Sequence, residues 1–148
     1  MKILLALGLL ITVCQAGLLS NVVNQALHAL KLKANAAKAT CLLESGAPQD
    51  IVTVVRDLLP VTTRAGLCFE ACLIEQYDVM DENNVIDVEK TVQYMIPVIG
   101  NDPQVIQAAT EVVQTCSANY QMDRCEFAHN VIACLLSSPV TAGLSVLL

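Results

Sequence analysis

An all-α domain of about six helices, held by disulfides, is the fold that this 148-residue sequence predicts, and three observations carry it. Apolar residues recur at i, i+3/i+4 and i+7 along nearly the whole chain, the period of a helix with one buried face. The punctuation is helical too, with Asp, Thr and Pro where helices begin and Gly or Pro where they end. Cysteine is abundant, at seven residues, and one of the seven falls in a segment that reads as removable. No strand alternation, hairpin dipeptide or internal repeat competes with this pattern.

That removable segment is residues 1–16, laid out as a secretory signal peptide. Lys2 supplies the positive start, Ile3 to Val13 the apolar run, and Cys14-Gln15-Ala16 the small residues before cleavage at Gly17. The run is shorter than the ~20 apolar residues that span a bilayer. Cleavage takes Cys14 with it. Residues 17–148 then form one domain with six Cys, an even number suited to an oxidising compartment.

The first helix of that domain is predicted from Leu18, Leu19, Val22, Val23, Ala26, Leu27 and Leu30, and continues through an Ala-rich stretch towards Cys41. Ser45-Gly46-Ala47-Pro48 breaks it, and Ile51 to Leu59 form a short apolar helix stopped by Pro60. Thr62 or Thr63 caps a helix from about Arg64 to Tyr77, and an acidic loop spans 78–84. Asp87 caps the next, with Val88, Val92, Met95 and Ile99 inward and Pro97 set to kink or end it. Gly100 closes that segment, and Asp102-Pro103 opens another with Val105, Ala109, Val112 and Cys116 as its buried stripe. Asp123-Arg124-Cys125-Glu126 resembles a capping box opening the last helix, with Phe127, Val131 and Leu135 inward and Ser137-Ser138-Pro139 at its end.

Composition excludes several functions. With 14 acidic against 8 basic residues the net charge is −6, the wrong sign for a nucleic-acid surface. At 55% apolar the chain is too hydrophobic for disorder, and part of that excess either leaves with the signal or encloses an apolar space. Catalysis has little to work with: only two His, His28 and His129, with no nucleophile elbow and no phosphate-cradling Gly loop. No metal or other cofactor is expected, since the Cys spacing lacks zinc-type C-x2-C pairs. The acidic loop fails as a calcium site because Val85 and Ile86 stand where an oxygen ligand and a turn Gly belong. His129 follows Glu126 by three residues, which suggests an ordinary surface ion pair, with a pH sensor as the sharper reading.

The most specific signal is the cysteine spacing, Cys41-x26-Cys68-x3-Cys72-x43-Cys116-x8-Cys125-x8-Cys134. Cys68 and Cys72 lie one helical turn apart and must reach different elements, although six Cys leave fifteen connectivities open. With three residues between the second and third Cys and eight between the fifth and sixth, the chain resembles the insect odorant- and pheromone-binding proteins over residues 17–148. The Asp81–Asp87 stretch resembles that family's acidic connection as well. The resemblance implies the interlocked pairs Cys41–Cys72, Cys68–Cys125 and Cys116–Cys134, and six helices packed around an apolar cavity. It further implies a secreted carrier of small hydrophobic molecules, not an enzyme, in sensillar lymph or another body fluid. An olfactory receptor or a second copy of the chain would be its partner.

For the cavity wall the inward stripes nominate Leu58, Leu73, Val92, Met95 and Ile99, followed by Val112, Phe127 and Val131. Tyr94 or Tyr120 would orient the ligand. The tail, residues 140–148, is rich in aliphatic side chains where a fraying end should be polar, so it is expected to close the cavity, with Leu147 reaching in. Since aromatics make up only 3% of the chain, an aliphatic ligand, a long one over an aromatic, is expected. Two other readings stand beside the carrier. One is a secreted binding or structural protein of saliva or reproductive fluid on the same fold. The other is a saposin-like lipid-interacting protein, which the acidic charge disfavours at anionic membranes.

Overall fold

The computed structural model describes residues 2–57, 59–118 and 123–147, with side chains given from residue 21 to residue 145 of these. Among them are six α-helices: α1 (Lys2–Ser45), α2 (Ile51–Arg56), α3 (Arg64–Gln76), α4 (Val88–Ile99), α5 (Pro103–Cys116) and α6 (Arg124–Ser137). A terminal 3-10 helix covers Ala142–Leu147. The all-α expectation therefore holds. An isolated antiparallel bridge between Met80 and Ile86 pinches the base of the acidic loop.

The chain is helical straight through the Ala16–Gly17 junction, since the apolar run and the Leu- and Ala-rich stretch beyond it are all strong helix formers. Leu30, Ala34, Ala37 and Cys41 are its buried face, at spacings of four, three and four residues. Of the stripe expected further upstream, Val22 and Val23 are 61% and 43% exposed and Ala26 is exposed, while Leu27 is half-buried. Gly46, at φ +66°, ends the helix in the left-handed conformation that glycine adopts without strain.

Caps fall where short polar residues occur in the sequence. Thr63 accepts from the Gly66 N–H at 3.1 Å and opens α3. Asp87 accepts from Lys90 at 2.9 Å and opens α4, while Asp102 accepts from Gln104 at 2.8 Å just ahead of the N1 proline of α5. Asp123 accepts from Cys125 and Glu126 to open α6, and its carboxylate also binds Arg64 at the start of α3, at 2.9 Å for one of the two bonds. That guanidinium, with the capping N–H groups, holds the Asp123 carboxyl down at about 2.

Two corrections concern the helices themselves. Pro97 does not stop α4, which continues to Ile99 and ends at Gly100, so the lost hydrogen bond is tolerated near the helix end. In α5 the fully buried residues are Ala109 and Val113; Val105, Val112 and Cys116 are only half-buried. The inward face is rotated by about one residue, because α5 packs on both α4 and α6 and centres on the line between them.

Core packing is organised around α3, which lies against α6 on one side and α1 on the other. Phe69, Cys72 and Leu73 join Ala37, Cys41, Ile51, Val55 and Val61 in one cluster; Ala71 and Ile74 join Val92, Met95, Ala109, Val113, Phe127, Val131 and Leu135 in the other. Gly66 permits the closest approach: a Cβ there would stand 2.7 Å from Val61 Cγ1 and 2.9 Å from Ile51 Cδ1. Three disulfides pin this arrangement: Cys41–Cys72 joins α1 to α3, Cys68–Cys125 joins α3 to α6, and Cys116–Cys134 joins α5 to α6. The pairing is the interlocked one implied by the resemblance.

Candidate functional site

Where α1, α3, α4 and α6 converge they leave a partly open cavity of about 150 Å³. Leu30 and Ala34 come from α1, Leu73, Ile74 and Tyr77 from α3 and its end, and Thr91, Tyr94 and Met95 from α4. Val79 of the acidic connection, Ile132, Leu135 and Leu136 of α6 and Leu144 of the tail complete the wall. Each of the four helices contributes residues of its inward face to the wall. Thr91 does not make the wall polar: its hydroxyl donates to the Asp87 carbonyl at 2.6 Å, within its own helix.

Polarity is confined to one end. The Tyr77 and Tyr94 rings meet edge to face, with centroids 5.2 Å apart at 76°. Lys33, one turn from Leu30 and next to Ala34 on α1, lays its ammonium 5.1 Å and 4.9 Å from the two ring centres and donates to the Tyr94 hydroxyl at 3.0 Å. Burial pushes the Tyr77 phenol above its ordinary pKa, with Tyr94 adding to the shift.

Thr141 is fully buried, with its hydroxyl donating to the Leu135 carbonyl, and this seats the tail on α6. From there the 3-10 helix packs on α1 and α4 and brings Leu144 to the cavity. Leu147, expected to enter, belongs to the 3-10 helix but its side chain is not among those described, and Leu58 and Tyr120 lie outside the described residues.

The structure brings together Leu73, Tyr94 and Met95 from the nominated wall. It places Val92, Phe127 and Val131 in the filled core, and Ile99 and Val112 half-buried against that core, all five off the cavity. The reason is that helical period finds the inward face but not the few ångströms that separate a packed side chain from a lining one. Ile74, Ile132 and Leu136 are missed for the same reason, each lying one position beside a nominated or inward residue. Leu30 stands on the first predicted stripe and Tyr77 at the predicted end of a helix, so both had a signal; Val79 and Leu144 had only their apolar character.

A second cavity, of about 230 Å³, lies between the α2–α3 connection and α6. It is the larger of the two, but its wall is less apolar, because Glu70 and His129 stand in it. Glu70, 2% exposed on α3, is hydrogen-bonded to His129 of α6, with Oε2–Nδ1 at 2.7 Å. The partner of His129 is thus Glu70, 59 residues away, where local spacing suggested Glu126. Burial raises the Glu70 carboxyl above its ordinary pKa, and the bond to His129 opposes the rise.

A group whose folded pKa is raised contributes its full stability below the unfolded value and loses it as pH rises through the folded one. The Glu70 contribution should therefore fall as pH climbs from about 4. Glu70→Gln should gain stability relative to the parent between pH 4 and pH 7, read from denaturant unfolding at the two values. An unchanged difference would show that Glu70 does not titrate in that window.

Among the described residues no group of three His, Cys, Asp or Glu side chains is placed to hold a metal ion, and no helix is long and apolar enough to cross a membrane. The sequence profile of the PBP/GOBP family matches residues 24–138. General odorant-binding protein 28a of Drosophila melanogaster is 29% identical over 106 residues, which is 71% of this chain and 74% of that protein. The solved structure of the odorant-binding protein dmelOBP28a from the same organism superposes with a TM-score of 0.60 at 29% identity, over 70% of this chain and 86% of that one.

Proposed function

Because the chain belongs to the PBP/GOBP family, we propose that it is a secreted carrier that takes small hydrophobic, mainly aliphatic molecules into the α1–α3–α4–α6 cavity. The observation that carries this reading is the wall itself: hydrocarbon on every side, with polar groups gathered at the Tyr77–Tyr94 end. Such a wall recognises by excluding water. Burying about 200 Å² of apolar ligand surface contributes about 5 kcal/mol before ordering costs, enough for weak, exchangeable binding.

A cavity of this size is of the order of an engineered one that admits benzene. A compact aliphatic body therefore fits without movement of the wall, and a longer chain requires the wall to open. The tail, through Leu144, serves as one movable side. Three disulfides support an oxidising, extracellular setting, and the Lys2–Ala16 segment supports export through a cleaved leader.

Mass spectrometry of an organic extract from the natively purified protein, paired with displacement of a lipophilic fluorescent probe, tests the reading. Saturable uptake of the probe and its displacement by the extracted compound are expected. A chain that takes up neither would not be a carrier, and a ring compound binding tighter than an aliphatic of equal size would remove the aliphatic preference.

A further inference from the structure

Four of the seven Lys and Arg side chains described face carboxylates. Arg56 is paired with Asp57, Arg64 with Asp123, Arg124 with Glu75 and Lys90 with Asp78. Lys33 differs. Among the described residues no carboxylate lies within ion-pair reach of its ammonium, although the sequence offers 14 acidic residues. Its neighbours are two ring faces and one phenol oxygen, all belonging to residues that line the cavity.

An ammonium has three N–H donors, and Tyr94 Oη accepts one of them at 3.0 Å. The rings attract the charge without accepting a conventional hydrogen bond. They also shield the half-buried side chain from water on those sides, which strengthens any interaction made there. The hydroxyl of Thr91, the other polar side chain of the wall, is already bonded to Asp87. Lys33 does not itself line the cavity; its ammonium stands against the two tyrosines that close one end of the hydrocarbon wall, a cation with donors to give to a ligand group that reaches past them.

We propose that Lys33, held by Tyr77 and Tyr94, is the head-group subsite of the cavity and selects ligands ending in an oxygen acceptor, carboxylates first and carbonyls next. The inference rests on the carrier reading and names the ligand class for that same site. The aliphatic body lies against Leu73, Met95, Ile132 and Leu135 while the terminal oxygen meets the ammonium. A ligand amine is disfavoured there by like charge, and a bare hydrocarbon leaves the donors unused.

The test is displacement of N-phenyl-1-naphthylamine from the disulfide-bonded protein at pH 7.5 by heptanoate, heptanal, heptane and heptylamine. Heptanoate is expected to bind at least tenfold tighter than heptane, with heptanal between them and heptylamine weakest. Lys33→Met should collapse the heptanoate-to-heptane ratio to within about threefold, Lys33→Arg should keep most of it, and Tyr94→Phe should lower it two- to fivefold. Circular dichroism of each variant confirms the fold. Equal binding of heptanoate and heptane by the parent, or a ratio that survives Lys33→Met, overturns the subsite and leaves the carrier reading standing. A parent that takes up neither the probe nor any of the four overturns both.

Discussion

Replacing Cys68 and Cys125 together by alanine is expected to cost about 4 kcal/mol of unfolding free energy, the largest loss from any of the three disulfides. In the chain-entropy picture the stabilisation grows with the loop that the bond closes. The sequence separations are 57 residues for Cys68–Cys125, 31 for Cys41–Cys72 and 18 for Cys116–Cys134. The corresponding contributions are about 4.2, 3.7 and 3.2 kcal/mol, an order set by topology alone. A domain of this size has only about 5–15 kcal/mol in all, so the first loss leaves a marginal fold. The effect on binding should exceed the effect on average packing, because this bond ties α3 to α6, two sides of the cavity. Guanidinium unfolding of the three double-alanine variants reads the order directly. Equal losses from all three would show that native contacts, and not loop closure, set their worth.

Filling the cavity from α1 should remove binding while sparing the fold. Ala34 is 3% exposed and lines the cavity, so Ala34→Phe directs a ring into the space a ligand needs. Ligand affinity is expected to fall at least 30-fold, which corresponds to about 2 kcal/mol of lost burial. Stability should stay within about 1 kcal/mol of the parent, since the helix-propensity loss is offset by filling a void. Unfolding curves and probe titrations on the same preparation separate the two effects. Ala133→Phe, aimed at the second cavity, is the counter-variant. Were it to abolish binding while Ala34→Phe did not, the ligand site would be the one beside Glu70 and His129.

Much of the fold is legible in the sequence because the signals that specify it are local. Thr63, Asp87, Asp102 and Asp123 cap the helices that follow them, as the spacing of short polar residues predicts. The Cys spacing, through the family it resembles, implied the pairing that the structure contains. Local signals fail where the answer depends on a third element. Val22 and Val23 satisfy the period of a buried stripe yet meet no partner, and the inward line of α5 moves from Val112 to Val113 because two helices share it. The site is less legible than the fold for the same reason. Phe127 and Ile132 lie on one helix and are both buried, yet only Ile132 borders the void. That difference is set by where α1 and the tail happen to lie. Glu70 and Lys33 are the extreme cases, singled out by no sequence pattern, with hydrogen bonds that run to chain 59 and 61 residues away.

The one-turn spacing of Cys68 and Cys72 on α3 bears on how the chain acquires its bonds. Oxidative folding proceeds by pairing and reshuffling over seconds to hours, and in a flexible chain short loops cost least entropy to close. Once α3 coils, its two thiols are carried by a rigid rod whose neighbours are α1 on one side and α6 on the other. Early helix formation there discourages the short Cys68–Cys72 loop and leaves each sulfur to meet the partner arriving on its own side. A helix formed before oxidation would act as a jig, narrowing the search before any native disulfide exists.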